Sequence, residues 1–358
     1  MTSRERILGA IHRTPIDRIP MVDTSYWPET IARWEHEGLA PGSDVRALLG
    51  LDRIKHIYFD CGFGFPETTI EENNEHRIYT DSCGRTIQAW KNSSSTPVTL
   101  THPMKSIADW SIIRKHIVVD HAKRLGNALT SDFTAAVTRG DFVALVPRDP
   151  AWVFIEYLLG FEEGLTALMC EPEAAARIMH EYADLMLAVL SDIMRIEKPH
   201  ADALWFYSDL CFKNGMLFSP AVYRSIVQPV HRRFRAFCDE HGLAMILHCD
   251  GDVREFIPLL IETGFDVIQP LEARAGNDVR KFKAAYGGDI TFFGNIDADI
   301  VAAGDHAAIE EEVRTKVTTA AVGGGYIYHI DHSVPPTVSF SDYRFLIECV
   351  MKYGSRSA

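Results

Sequence analysis

Two apolar runs of this sequence each end abruptly in side chains that can bind or release protons. The segment MILHCDG at 245–251 ends in His248 and Asp250, and GGGYIYHIDHSVPP at 323–336 leads into His332. Residues i and i+2 of a strand point to the same face, so His248 and Asp250 are expected to face one cavity. An imidazole and a carboxylate in one cavity can exchange protons or bind a metal.

The role of this group stays open between three interpretations. His248, Asp250 and His332 together would suit Zn²⁺ or another divalent ion, because three protein ligands are typical of a catalytic zinc site. A catalytic acid–base pair without metal is as consistent with the spacing. The third interpretation is a hydrogen-bonded polar network that closes the mouth of a barrel.

Polar side chains also follow the other apolar runs. We predict Asp209, after ALWFY, as a fourth catalytic residue that orients a histidine or the substrate, although an Asx turn would explain it equally. We predict six substrate-binding residues, which are Asp23, Tyr207, Gln269, Glu272, Asn295 and Asp331. For Asp331 the alternative is a capping role at the start of a helix.

The elements that must position these residues alternate between strand and helix patterns. Seven runs predict strands, at 19–22, 142–147, 201–207, 244–248, 265–270, 289–294 and 325–329. Strand and helix in repeated alternation predict parallel strands with right-handed crossovers. In a barrel of this kind the chemistry lies at the carboxyl ends of the strands, where the polar residues gather. An open doubly wound sheet is the alternative, but no GxGxxG follows the first strand.

Residues 50–100 depart from this alternation. The segment HRIYTDSCGRTIQAWKN at 76–92 predicts a hairpin that turns near 82–84. We therefore predict that 50–100 is a cap or a hairpin insertion beside the first strand.

Composition excludes several classes of protein. The net charge is −13, from 36 basic and 49 acidic residues, which argues against nucleic acid as a partner. The seven cysteines are scattered and contain no CxxC pair, a pattern typical of a reduced, cytoplasmic protein. No apolar run is long enough to cross a membrane, and the charged N-terminal segment does not resemble a signal peptide.

Six segments together resemble the uroporphyrinogen decarboxylase superfamily. They are RERILGAIHRTPIDRIP, LLGFEEGLTALMCEPE, NGMLFSPAVYRSIVQP, ILHCDGDVREFIPLLIETGFDVIQPLEARAGND, ITFFGNID and GGGYIYHIDHSVPP, and the resemblance runs from about residue 3 to about residue 345. It implies a (β/α)₈ TIM barrel as a single domain over residues 1–358, with an N-terminal helical and β-hairpin elaboration.

The superfamily contains two chemistries. Uroporphyrinogen decarboxylases carry an arginine-rich segment similar to MRQAGRY after the first strand, whereas this sequence has MVDTSYWPE at 21–29, with no arginine. The corrinoid-linked methyltransferases that activate thiols such as coenzyme M bind zinc through His-x-Cys and a later Cys. Here His248 matches the histidine, Asp250 stands in place of the first cysteine and His332 lies near the second. Such a set of harder ligands suits a harder metal or acid–base work.

The resemblance therefore implies a cytoplasmic methyltransferase. It would move a methyl group between a small methylated substrate, for example a methoxylated aromatic, and a corrinoid on a carrier protein, and the family implies a homodimer. A decarboxylase of uroporphyrinogen or of a smaller carboxylate is the alternative. The third hypothesis is a module that binds a metal or a corrinoid without turnover.

Overall fold

The computed structural model describes residues 1–92, 96–117, 124, 129–196 and 201–355. These residues contain thirteen strands, which are β1 (Ile54–Tyr58), β2 (Thr68–Glu72), β3 (His76–Thr80), β4 (Thr86–Trp90), β5 (Val98–Thr101), β6 (Phe142–Val146), β7 (Ala203–Tyr207), β8 (Cys211–Phe212), β9 (Gly215–Met216), β10 (Ala244–Cys249), β11 (Val267–Pro270), β12 (Thr291–Phe293) and β13 (Tyr326–Ile327).

Seven of these strands form one curved parallel sheet in the order β1-β6-β7-β10-β11-β12-β13. The chain around Met21 lies between the two edge strands of that sheet. Tyr328, next to β13, donates its N–H to Pro20 O over 2.9 Å, and Asp52, just before β1, donates to Met21 O over 2.7 Å. The two edges are thereby linked through this segment, and the architecture is that of an α/β fold similar to a TIM barrel.

Helices connect and cover the parallel strands. The longer ones are Ser3–Ile11, Pro28–His36, Leu129–Arg139, Trp152–Leu159, Phe161–Cys170, Pro172–Ile196, Gln228–His241, Val279–Tyr286, His306–Ala320 and Phe340–Gly354, and the shorter ones are Val45–Leu49, Trp110–Ile113, Pro220–Val222, Ile257–Thr263 and Ala298–Ala302. The sequence predicts one helix at 219–242, with Ser219 as its N-cap and Gly242 just after its end. A π-helical turn, Tyr223–Val227, lies within that range. Within the described residues, none of the helices combines the length and apolar character needed to span a bilayer.

Strands β2 to β5 form a separate antiparallel sheet. Its central strands β3 and β4 form a hairpin within the segment 76–92, with Thr80 paired to Thr86. This sheet is inserted between β1 and β6 of the parallel sheet.

The apolar core occupies both faces of the parallel sheet. The inner face carries a cluster that includes Phe142, Trp205, Ile246 and Phe293, and Ile7, Ala10 and Ile11 of the first helix belong to it. That helix lies across the amino ends of the strands, because Arg4 N–H donates to Gly140 O over 2.9 Å and Gly325 N–H donates to Ala10 O over 2.9 Å. The opposite, carboxyl end of the sheet is left for polar residues.

The parallel sheet has seven strands, and six of them lie at the predicted places. Residues 54–58, predicted as part of a cap, form the edge strand β1. Residues 19–22, predicted as a strand, form only an isolated bridge at Met21. Pro20 has no N–H to give, which interrupts a continuous hydrogen-bond ladder there.

Candidate active site

Three neighbouring strands place three predicted site residues on one rung of the sheet. Tyr207 of β7 pairs with His248 of β10, which pairs with Gln269 of β11. The rings of Tyr207 and His248 lie 4.7 Å apart, and His248 Nδ1–H donates to Gln269 Oε1 over 2.6 Å. This bond fixes the imidazole plane and leaves Nε2 as the nitrogen that faces the neighbouring acids.

The turn after β10 is held by two of the predicted acids. Asp250 N–H donates to Asp209 Oδ1 over 2.9 Å, and Gly251 N–H donates to Glu272 Oε2 over 2.6 Å. Gly251 has a φ of 87°, a left-handed conformation that glycine adopts without strain. Asp209 and Glu272 therefore position the backbone that presents Asp250.

Asp250 is shared by both predicted histidines. Its Oδ2 lies 3.6 Å from His248 Nε2 and 3.7 Å from His332 Nε2, and Asp209 Oδ1 lies 3.9 Å from His248 Nε2. The four residues predicted as catalytic are thus brought together from β7, β10 and the segment after β13. Cys249 lies between them in sequence but is buried in the outer core, as the alternation along the strand predicts.

The proximity of these groups changes their affinities for protons. Contact with the Asp250 carboxylate raises the pKa of His332. Burial opposes the same effect on His248, but the charge of Asp250 outweighs it and the pKa is raised. Burial would also raise the pKa of Asp250, yet the two imidazoles hold it well below its usual range. Burial raises the pKa of both Asp209 and Glu272. The Asp250 carboxylate therefore favours the protonated forms of both His248 and His332.

The same atoms fit a divalent metal ion. Two alternative sets have ligand atoms that all lie within 4.8 Å of one another, namely Asp209, His248 and Asp250, and Asp250, Glu272 and His332. Among the described residues, no such set contains both His248 and His332. Asp250 Oδ1 is buried and has no hydrogen-bond partner in the described part of the chain. The separations of 3.6 Å and 3.7 Å around Oδ2 are too long for hydrogen bonds but resemble the spacing between ligands of one metal ion.

Two cavities open beside this cluster at the carboxyl end of the sheet. The larger, of about 820 Å³, is lined by residues that include Trp27, Glu272, Arg274, Asp331, His332 and Pro335. The other, of about 640 Å³, includes Asp209, Lys213, Asp250 and Glu272 in its lining. The side chains of Asp209 and His332 are 59% and 43% exposed, so the cluster is accessible from outside.

Two predicted substrate-binding residues have their polar atoms engaged elsewhere. The Asp23 carboxylate is fully buried and accepts bonds from Tyr328 and Tyr343 hydroxyls over 3.1 Å and 2.6 Å. Asn295 is also fully buried, and its Oδ1 accepts Val279 N–H over 2.9 Å.

Asp331 lies on the wall of the larger cavity but also works as a cap. Its oxygens accept the N–H groups of Ala273 and Ala298 over 3.0 Å and 3.1 Å. Burial raises its pKa to about 6. Its predicted contact with substrate and the alternative capping role are therefore compatible.

Two residues near the mouth are absent from the sequence prediction. His329 Nε2 accepts Thr24 N–H over 3.2 Å and lies 3.5 Å from Gln269 Nε2, below the His248 ring. Arg148 lines a third cavity beside Tyr207. Both residues directly follow or end an apolar run, and that position was the available signal.

Comparison with known proteins decides the family. The sequence model of the uroporphyrinogen decarboxylase (URO-D) family matches residues 150–353, more than half of the chain, and the match includes all four residues predicted as catalytic. The chain belongs to the URO-D family. This agrees with the resemblance drawn from its sequence segments.

Individual relatives of this URO-D family member are distant. A uroporphyrinogen decarboxylase from Trichlorobacter lovleyi is 28% identical over 102 residues, which span 26% of this chain and 30% of that protein. The structure of a methyltransferase from Methanosarcina mazei is similar with a TM-score of 0.66 and 14% identity, over 99% of both chains. At that identity the likeness is one of fold alone, and it covers nearly the whole chain.

Proposed function

We propose that this URO-D family member is a methyltransferase. It moves a methyl group between a small methylated substrate, for example a methoxylated aromatic, and a corrinoid carried by a partner protein. The observation that carries the proposal is the Asp250 carboxylate shared by His248 and His332 at an open cavity. The family match and the fold of a methyltransferase from another organism support it.

Removal of a methyl group from an oxygen leaves that oxygen with both electrons of the broken bond. It then needs a proton or a Lewis acid. His332 is the candidate proton donor, because it is accessible and its contact with Asp250 raises its pKa. In the reverse direction the same imidazole would accept the proton.

A divalent ion, when bound, would supply the Lewis acid that stabilises the leaving oxygen. Asp250 would hold it either with His248 and Asp209 or with His332 and Glu272. Gln269 would keep the His248 ring in the orientation that a metal ligand requires.

A corrinoid on its carrier protein would supply the cobalt nucleophile that takes the methyl group. This chain contributes the access that such a partner needs, because the cluster faces two open cavities at one end of the sheet. We extend the proposal to a complete (β/α)₈ barrel formed as one domain with an N-terminal helical and β-hairpin elaboration, to a cytoplasmic location and to a homodimer.

The first test measures metal content and methyl transfer together. The protein is purified without chelator, its zinc content is determined, and demethylation of 2-methoxyphenol by added cob(I)alamin is followed. We expect about one equivalent of zinc, lost in His248→Ala and in Asp250→Ala together with the activity.

The control is His306→Ala. His306 also pairs with an aspartate, Asp342, over 3.1 Å. It lies on the helix His306–Ala320 and does not belong to either set of candidate metal ligands. It should keep both zinc and activity. Activity that persists unchanged in His248→Ala would refute the assigned role.

Decarboxylation remains the second candidate, because both the family and the relative from Trichlorobacter lovleyi carry that name. It requires release of CO₂ from a carboxylate substrate with no corrinoid present. Release of CO₂ together with no methyl transfer would favour it over the methyltransferase.

A further inference from the structure

A third cavity lies on the other side of Tyr207 from the histidine cluster. Its volume is about 420 Å³, and its lining includes Tyr58, Asp60, Cys61, Arg148, Tyr157 and Tyr207. It is formed by the carboxyl ends of β1, β6 and β7, so it opens at the same end of the sheet as the cluster. Tyr207 belongs to both places, since its ring lies 4.7 Å from that of His248.

Arg148 is held firmly in the wall of this cavity. Its Nη1 donates to Cys61 O over 3.0 Å and to Cys83 Sγ over 2.9 Å. Its guanidinium carbon lies 4.4 Å from the centre of the Tyr157 ring and 5.5 Å from that of Phe63. The group therefore has a fixed direction before any ligand arrives.

No carboxylate in the described part of the chain forms an ion pair with Arg148. Arg85 and Arg235, also partly buried, do pair with an acid, Asp81 over 2.7 Å and Asp266 over 2.6 Å. Among the described residues, Arg13 and Arg46 lack such a pair, but each donates to backbone carbonyls through two or more side-chain nitrogens. An arginine stays charged at all physiological pH values, and a half-buried charge without a counter-ion is costly. A ligand anion would remove that cost.

Two other guanidinium groups lie beside this cavity, and each is close to an acid. The guanidinium of Arg85 lies over the same Tyr157 ring at 3.5 Å, although Asp81 neutralises it. The nearest acid in the cavity lining is Asp60, whose Oδ2 lies 3.9 Å from the Arg124 guanidinium.

We infer that Arg148 binds a carboxylate of the substrate, so that the substrate class is methoxylated aromatic acids rather than neutral methoxylated aromatics. The inference deepens the proposed function and rests on it. A guanidinium binds a carboxylate through two parallel N–H donors. Within the described residues, Nη1 is the guanidinium nitrogen of Arg148 that donates to the protein, which leaves Nη2 and Nε for a ligand. The aromatic ring of such an acid would lie against Tyr207, next to His248.

The test is a binding measurement that needs neither metal nor corrinoid. Titration calorimetry compares 4-methoxybenzoate with neutral 4-methoxybenzamide on the full chain. We expect the wild type to bind the acid at least about tenfold more tightly, because a charge-assisted bond is lost with the amide. Arg148→Met should remove that preference, so that the acid and the amide bind with similar affinity.

The matched control is Arg85→Met, which removes a guanidinium from the same tyrosine ring but one already neutralised by Asp81. It should retain the preference for the acid. Arg148→Lys keeps the positive charge but not the two parallel N–H donors, so it should lose part of the preference for the acid. This variant tests the inference if Arg148→Met does not fold.

Three results would overturn the inference. They are equal binding of acid and amide by the wild type, an unchanged preference in Arg148→Met, and an equal loss in both arginine variants. Binding of the acid together with no methyl transfer would instead leave the subsite intact and reject the proposed function. Methyl transfer from neutral substrates alone would instead support the proposed function and reject the carboxylate subsite.

Discussion

At the scale of residues, the central fact is one carboxylate placed between two imidazoles. Asp250 Oδ2 lies within 3.7 Å of Nε2 of both His248 and His332, and its other oxygen is buried without a partner among the described residues. A carboxylate in that position can serve a metal ion or can hold both histidines protonated. In either case its charge sets the chemistry of both rings.

Gln269 should control the behaviour of His248. In Gln269→Leu the imidazole Nδ1–H loses its acceptor at 2.6 Å, so the ring is free to rotate or change tautomer. We expect zinc affinity or methyl transfer to fall by roughly 10–100-fold, as for other partners of metal-bound histidines. The measurement is zinc affinity by competition with a chromophoric chelator.

Gln269→Glu is the control, since it keeps an oxygen acceptor at the same place. It should retain most of the affinity. If both variants bind zinc as the wild type does, Gln269 has no positioning role.

The sequence predicted the pairing of His248 with Asp250 because alternation along a strand is a local rule. It did not distinguish Asp23 and Asn295, whose polar atoms are turned into buried networks, from Asp209, which faces the mouth. All three follow apolar runs. Which direction each takes depends on tyrosines and backbone groups far away in the chain.

At the scale of elements, the helix predicted at 219–242 shows what local signals miss. Its ends are as predicted, because Ser219 Oγ accepts Val222 N–H over 3.3 Å and Gly242 has a φ of 66°. Inside it, however, the turn Tyr223–Val227 is π-helical. It directly precedes the segment that holds Pro229, which has no N–H for a regular turn.

The turn after β10 depends on Gly251. A Cβ there would lie 2.7 Å from Phe212 O in addition to the left-handed φ of 87°. Gly251→Ala should therefore lower the free energy of unfolding by about 1–3 kcal/mol and displace Asp250. Urea unfolding and zinc content measure the two effects.

Gly242→Ala provides the comparison, because its φ is also positive, at 66°, but no atom lies within 4 Å of the added Cβ. It should cost only about 1 kcal/mol. Equal losses in the two variants would mean that contact with Phe212 has no effect.

The strand β1 escaped prediction because its sequence, IKHIY, alternates apolar residues with Lys55 and His56. As an edge strand it is only partly buried, so it lacks the continuous apolar run of β6 or β7. The reverse error at 19–22 has the same origin. Apolar residues there pack into the core, but Pro20 prevents a ladder.

At the scale of the whole molecule, His56 in β1 of the parallel sheet should make stability depend on pH. His56 lies 4.8 Å from Trp205, and its Nε2 is buried without a hydrogen-bond partner in the described residues. Burial, with smaller effects of Arg46 and Lys55, lowers its pKa to about 4. The unfolded chain binds this proton near pH 6.5. Stability is therefore fully present above about pH 6.5 and falls as the pH drops toward 4.

The free energy of unfolding should fall less between pH 7 and pH 4 in His56→Phe than in the wild type, by up to about 3 kcal/mol. The measurement is the free energy of unfolding in urea at several pH values. The exposed His36 supplies the control as His36→Asn, which should keep the wild-type slope. A parallel slope in His56→Phe would show that other groups govern acid unfolding.

The first helix, Ser3–Ile11, has a consequence for the order of assembly. It covers the amino ends of strands as distant in the chain as β6 and β13, through Gly140 and Gly325. On the ribosome it emerges before every strand of the sheet, yet its docking surface is complete only after β13 has been made. Its apolar face, with Ile7 and Ile11, can therefore be buried only after nearly the whole chain has been synthesised. Until then the helix exposes an apolar face of the kind that chaperones bind.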